Sequence, residues 1–357
     1  MKPVADEIDK NLDTNSTIIK DHFQVDKILR GFVGKRVALT THENPDGDGL
    51  CCAMALSFGL KYIYKAEPTI IMDSASPTFL NGLPFSQCNV MSLNAYKDSD
   101  KGNFDLLIVL DCHEEDRVDT DKEIFQMVDG VLIIDHHEVN TNGTESIFHY
   151  DNSVVYSYID SSAVSTGVII NRFLYQLVKD LNPSWKNDYA NCIYTTILND
   201  TDNFFNANTN KETFQTVADL YDFGLKPNIV VNQFMYRKSI YYYRFIGNVL
   251  STIEVKNKIA IYYSTLQMLK NNYQTTDAYS KITKWTKGTY DVDIQVLFQE
   301  YGEGFFRVSL RSDLHDVAEI AQHYGGGGHK KAAGMKINGK LSEVKNELIS
   351  FIESKIL

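Results

Sequence analysis

In TIIKDHFQVDKILRGF (17–32) apolar residues recur at near-helical spacing, and GKR then breaks the pattern, so a helix is expected there. RVALTTH follows as a short strand, and GLCCAMALSFGLKYIYK reads as a helix begun by the glycines and aspartates before it. Further strands are expected at PTIIMD (68–73), CNVMSL (88–93), FDLLIVLDC (104–112) and GVLIIDHH (130–137). The last two are near-continuous apolar runs, as strands buried on both faces of a parallel sheet require. Strands alternating with helices predict an α/β fold, an N-terminal parallel sheet with helices on both sides.

A helical region runs from AVSTGVIINRFLYQLVKDL through YANCIYTTIL and ends in NDTDNF (199–204). ETFQTVADLYDFGL and MYRKSIYYYRFIG continue the helical pattern and are expected to connect two domains. The pattern then shifts to alternating strands in STIEVKNKIAIYYST, VDIQVLFQE and FFRVSLRS, with VAEIAQHY as a helix before GGGGHKKAAG. The expected division is a catalytic domain over 1–222 with a flexible lead at 1–16, a helical linker over 223–244, and a smaller C-terminal α/β domain over 245–357.

A chain of 357 residues accommodates two domains, and 43% hydrophobic with 23% charged residues is ordinary for a globular protein with a real core. The most apolar helix candidate, LCCAMALSFGL, is too short to span a membrane. The N-terminus is polar and mixed in charge, unlike a secretory signal, so a soluble cytoplasmic protein is expected. Cys51, Cys52, Cys88, Cys112 and Cys192 show no metal spacing and read as reduced, mostly buried thiols. The formal net charge of −11 argues against binding long duplex nucleic acid, whose affinity comes from neutralising phosphates. It leaves room for small phosphate esters, because clustered carboxylates hold cations. The oligomeric state, a dimer among the options, stays open.

The chemistry gathers at strand ends. His42, Asp46 and Asp48 follow one strand, Asp111 closes LIVLD, and Asp135, His136 and His137 close VLIIDHH. Ligands of open α/β sheets bind outside those carboxyl ends, so three strands deliver acids and imidazoles to one edge. A capped turn is the plain alternative for HENPDGDG alone; beside Asp111 and DHH a metal site is the better reading. Mixed nitrogen and oxygen donors suit an ion of intermediate hardness such as Mn²⁺. Four carboxylates and two histidines exceed the needs of one ion, whereas two ions about 3.5–4 Å apart can share a carboxylate and drive attack on phosphorus. Asp135 would orient His136 from behind.

GGGGHKKAAG is the other unusual stretch. Its glycines let backbone N–H groups approach an anion, with His329, Lys330 and Lys331 as donors, against the alternative of a flexible hairpin. Arg311 in VSLRS could hold a phosphate bidentately. CHEEDRVDT reads as a solvated loop with Arg117 in reach of the site, the tyrosines of SIYYYRF as packing at a hinge, and His149, His315 and His323 as structural or exposed.

In this order, the motifs resemble the DHH–DHHA1 phosphoesterase family: HENPDGDG, LDC, IDHH and LNDTDNF in the DHH domain, VSLRS and GGGGHKKAAG in the DHHA1 domain. The resemblance covers nearly the whole chain after about residue 20 and is strongest to enzymes that degrade very short oligoribonucleotides and dephosphorylate 3′-phosphoadenosine 5′-phosphate (pAp). It implies two manganese ions, one on His42, Asp46 and Asp111, the other on Asp48, Asp111, His136 and Asp200. It further implies that Asp111 and His137 are catalytic, His137 facing the scissile phosphate or the leaving group. Arg311, Ser312, Gly326, Gly327, Gly328 and His329 would grip the far end of the nucleotide, and a cleft between the domains would measure substrate length. Here Glu138 stands where the family has proline and Asp202 where it has glycine, adding negative charge near the expected pocket. The rivals are a cyclic-dinucleotide phosphodiesterase of the same family, a non-catalytic nucleotide sensor, and a pyrophosphatase or polyphosphatase, against which GGGGH speaks.

Overall fold

A computed structural model describes residues 16–74, 83–99, 101–138, 154–236, 238–279 and 282–356. The lead up to residue 15 and His149 lie outside the described residues. The chain divides into two compact units, Met1–Arg237 and Lys238–Leu357.

In the first unit the order is β1 (Ser16–Ile18), α1 (His22–Leu29), β2 (Arg36–Thr40), α2 (Gly47–Tyr62), β3 (Glu67–Ile71), β4 (Val90–Met91), α3 (Leu93–Lys97), β5 (Leu106–Leu110), β6 (Gly130–Asp135), β7 (Val154–Ile159), α4 (Thr166–Leu181), α5 (Lys186–Asp200), α6 (Lys211–Leu220) and α7 (Pro227–Val231). The seven strands line up as β1-β7-β6-β5-β2-β3-β4, every pairing parallel. β5 and β6 are buried at every position, and their side chains alternate between two cores. Leu106, Ile108, Leu110, Leu132 and Ile134 pack with α2, α4 and α5; Leu107, Val109, Val131 and Ile133 pack with Tyr96, Phe104, Ile124 and Phe125 on the opposite face. That is why both strands read as unbroken apolar runs. α2 is buried from Gly47 to Leu60, so it is a core helix.

Two differences from the sequence expectation concern one edge. Residues 16–18 form β1 and not the start of a helix, because they pair with β7 from Ser16↔Val155 to Ile18↔Ser157. Asp21 then caps α1 through the Phe23 N–H, so the helix starts only at His22. Within the expected strand 88–93, pairing is confined to Val90 and Met91, since Ser92 caps α3.

The second unit comprises α8 (Ile240–Leu250), β8 (Glu254–Lys256), β9 (Ile259–Ser264), α9 (Leu266–Asn271), β10 (Ile294–Gly302), β11 (Phe305–Arg311), α10 (Val317–His323), β12 (Gly327–His329), β13 (Ala332–Asn338) and α11 (Leu341–Ile356). Its sheet runs β12-β13-β11-β10-β9-β8, antiparallel except for β9 beside β10. Ile294, Val296, Phe298, Val308, Leu310, Ala333 and Met335 face α10 and α11. On the other face Tyr262 and Leu297 pack against α8 and α9 through Phe245, Val249 and Leu269. Part of the stretch expected as a linker therefore belongs to this unit's own core. No helix among the described residues is long and apolar enough to cross a membrane.

Candidate metal centre

The acids and imidazoles converge at the carboxyl ends of β2, β5 and β6 and at two helix ends. β2 runs into His42, whose Nδ1 donates to its neighbour's carbonyl, Glu43 O, at 2.8 Å. That leaves Nε2 facing Asp46 Oδ1 at 3.7 Å and Asp111 Oδ2 at 3.5 Å. Asp46 caps α2 by accepting the N–H groups of Asp48 and Gly49, and its other oxygen takes Asn199 Nδ2 at 2.7 Å. Gly49 is needed here because a Cβ would lie 2.1 Å from Thr41 Oγ1.

Asp48 is fully buried. Its Oδ2 accepts the Thr166 N–H at 2.7 Å and its Oδ1 the Gly167 N–H at 3.1 Å, at the N-terminus of α4. The free N–H groups and helix dipole there stabilise the carboxylate. Asp111 follows β5 with φ 58°, a left-handed backbone that turns its carboxylate back over the strand ends. The Thr166 hydroxyl donates to Asp111 Oδ1 at 3.2 Å.

His136 Nδ1 is 3.3 Å from the Ala163 carbonyl, to which it donates. Its Nε2 faces Asp48 at 3.7 Å, Asp111 at 3.5 Å and Asp200 at 3.4 Å. Asp200, at the end of α5, takes Asn199 Nδ2 on Oδ1, while its buried Oδ2 has no hydrogen-bond partner among the described residues. A buried carboxylate oxygen left unpaired beside an imidazole lone pair fits a cation between them, since leaving it bare carries a desolvation penalty. His42, Asp46 and Asp111 form one group able to hold an ion, and Asp48, His136 and Asp200 another; Asp111 also groups with His136 and His137.

Electrostatics follow from this crowding. Burial and the Asp48 charge push the Asp111 carboxyl well above its ordinary range, and the same two causes raise Asp200. Burial lowers the His42 imidazole, but Asp111 and Asp46 outweigh it and hold it up at about 10. Burial likewise raises Asp46, yet His42 and Asn199 bring it down to about 2.

Behind the cluster, Asp135 accepts from the His136 N–H at 2.7 Å and from the N–H and Nδ1 of His137 at 3.2 and 2.8 Å. Contrary to the sequence expectation, Asp135 does not hold the ring of His136, which Ala163 O fixes; it holds the ring of His137, whose side chain is 45% exposed. The hydrogen bond with Asp135, opposed by burial, raises His137 to about 9. The second oxygen of Asp135 accepts from His113 Nδ1. His113, Asn199 and Thr166 escape a reading of the sequence: His113 sits in an acidic run, and all three act on acids distant in sequence or on the adjacent Asp200.

Arg117 lies beside Glu114 at 3.6 Å, half exposed. In the second unit the glycine run is a hairpin strand, with Gly327↔Gly334, Gly328↔Ala333 and His329↔Ala332. Gly326 has no room for a side chain, since a Cβ would sit 2.2 Å from Gly334 O, and Gly328 has φ 141°. Arg311 lies in the row Gln295–Arg311–Ala332–His329 across the sheet, so Arg311 and His329 share one face. Burial lowers the Arg311 guanidinium, and no carboxylate pairs with it among the described residues. Ser312 is committed locally: its hydroxyl donates to Asp293 O at 2.7 Å and accepts the N–H groups of Leu314 and His315.

Comparison with known proteins agrees with this division. The model for the DHH family N-terminal domain matches residues 36–197, and that for the DHHA1 domain matches 258–356. A Thermus thermophilus protein named bifunctional oligoribonuclease and PAP phosphatase NrnA is 28% identical over 319 residues, 88% of each chain. A Streptococcus mutans protein named as a probable enzyme of that kind is 28% identical, covering 84% of this chain and 88% of its own. Among solved structures, an exopolyphosphatase-related protein from Bacteroides fragilis superposes with a TM-score of 0.75 at 20% identity, over 94% of this chain and 96% of that one. That likeness is one of fold.

Proposed function

The chain belongs to the DHH family and carries its DHHA1 domain, and from that premise we propose that it is a manganese-dependent phosphoesterase with two ions per chain. It hydrolyses very short oligoribonucleotides to mononucleotides and pAp to AMP, the activities that the names of its Thermus and Streptococcus relatives carry. The observation that supports this reading most directly is the double ligand group around Asp111. His42, Asp46 and Asp111 would hold one ion and Asp48, Asp111, His136 and Asp200 the other. Ions held there supply Lewis-acid stabilisation of phosphoryl oxygens and an acidic water for in-line attack.

The chain's own residues do the rest. Asp48, tied to the start of α4, and His136, tied to Ala163, are fixed before substrate arrives. Asp135 holds Nδ1 of the half-exposed His137 ring, and its Nε2 has no hydrogen-bond partner among the described residues, which suits a proton donor to the leaving oxygen. In the second unit Arg311, uncompensated by any described carboxylate, and His329 on the same face would receive the far phosphate, with Gly326, Gly327 and Gly328 admitting it close to the backbone. Ser312 would act by shaping that turn.

The test is product chromatography after incubation with Mn²⁺ and, in parallel, linear pApA, pAp and cyclic di-AMP. Conversion of the first two to AMP is expected. Preference for the cyclic substrate would move the protein to cyclic-dinucleotide turnover, and no hydrolysis of any with metal bound would defeat the enzymatic reading.

A further inference from the structure

The face of the second sheet that carries Arg311 also carries Arg307, Ser309, Gly334 and Lys336. The register makes this necessary: Phe306, Val308 and Leu310 point into the core with α10 and α11, so the residues between them point the other way. Arg307 lies directly opposite Lys336 in the β11–β13 pair, and both are exposed. Like charges directly opposed across two strands destabilise a sheet. No ion pair joins either residue to a carboxylate among the described residues; Arg307 instead lies over the Tyr301 ring at 4.2 Å from its centroid. Between this pair and Arg311 the surface is flat, because Ser309, Gly334 and Gly327 form the intervening row. A Cβ on Gly327 would meet nothing within 4 Å, so the bed is open.

We propose that Arg307 and Lys336, with Tyr301 beneath, form a second phosphate site that engages an oligonucleotide beyond the nucleotide held at Arg311. Four residue steps along β11 separate Arg307 from Arg311, a span of about 13 Å at strand rise. A nucleoside bisphosphate anchored at Arg311 does not reach that far, whereas the continuing strand of a longer oligonucleotide does. The site therefore acts only on longer substrates. An anion between Arg307 and Lys336 relieves their repulsion, and the flat row accepts a base or sugar without a clash. This inference rests on the reading of Arg311 as a phosphate holder and extends it to substrate length.

The test uses the full-length protein and fluorescently labelled phosphorothioate oligoadenylates of two and four nucleotides, with affinity read by anisotropy across a salt series. The unaltered protein is expected to bind the longer probe more tightly. Arg307→Ala with Lys336→Ala is expected to remove most of that difference, lower the salt slope for the longer probe by about one per side chain removed, and leave the shorter probe unchanged. A variant that keeps the full length dependence, or weakens both probes equally, overturns the site. Hydrolysis of pApA and pAp is measured alongside: absent turnover with the length effect intact would count against the enzymatic reading and for this site.

Discussion

His113 donates from Nδ1 to Asp135, whose other oxygen holds His137. The fully buried carboxylate is thereby saturated, and the exposed imidazole of His137 inherits its orientation. His113→Ala leaves one buried oxygen bare, at a cost of roughly 1–3 kcal/mol. Turnover is expected to fall about 10–100-fold, the scale seen for partners behind a metal's ligands. Metal content, measured by elemental analysis, should stay near that of the unaltered protein. His113→Asn, which keeps a donor, should recover part of kcat; a loss confined to KM would speak against orientation.

Asp111 groups with His42 and Asp46 on one side and with His136 and His137 on the other, and sits at φ 58°. Asn tolerates that backbone, so Asp111→Asn isolates the charge from the strain. Removing one of several crowded buried acids should leave the metal-free protein as stable as before or more so. The stabilisation by metal, about 2.7 kcal/mol when the ion is about a hundredfold above Kd, should largely vanish along with turnover. Thermal melts with and without Mn²⁺ check both halves, and an undiminished metal response in the variant would refute the bridging role.

Metal binding should strengthen as pH rises. In the metal-free protein His42 holds its proton up to about 10 because Asp111 and Asp46 overcome the effect of burial. A raised imidazole stabilises the metal-free fold fully below the unfolded value near 6.5, and that contribution is lost as pH climbs through about 10. An ion taking Nε2 must displace that proton, so the metal-free form loses ground with pH while the metal-bound form does not. Calorimetry at pH 7 in buffers of different ionisation heat should show about one proton released through His42. The melting increment from Mn²⁺ should be larger at pH 8.5 than at pH 6.5, and an increment that shrinks with pH would contradict the assignment.

Gly167 admits the start of α4 to Asp48 only because it lacks a side chain: a Cβ would lie 2.1 Å from Thr196 Oγ1. Gly167→Ala should destabilise by about 1–3 kcal/mol through overpacking. Because its N–H is one of the two that hold Asp48, metal affinity should weaken with it. A denaturant titration and a metal titration on the same variant test this, and Thr196→Ala in that background should restore part of the stability.

The first unit was legible where the physics is local. LIVLD and VLIID declare themselves because a parallel strand covered on both faces must be apolar throughout, and their terminal acids then mark the ligand edge. β1 was not legible, because TII reads as the first turn of a helix until β7 supplies its partner, more than a hundred residues away. His113 stayed hidden for the same reason. Three acids, Glu114, Glu115 and Asp116, follow it directly, and only the adjacency of β5 and β6 brings it to Asp135. Thr166 and Asn199 act on Asp48, Asp111 and Asp46 across long stretches of sequence, and hydroxyls and amides advertise nothing by spacing.

The candidate ligands extend from His42 to Asp200, on three strand ends and two helix ends of the first unit. Asp200 is contributed by α5 and the N–H groups that hold Asp48 by α4, both later in sequence than β7. During synthesis the sheet strands therefore emerge with His42, Asp46, Asp48, Asp111 and His136 but without Asp200 or the N–H groups that hold Asp48. The group of Asp48, His136 and Asp200 is complete only once α4 and α5 have docked, so an ion held there would be a certificate that the first unit has finished folding.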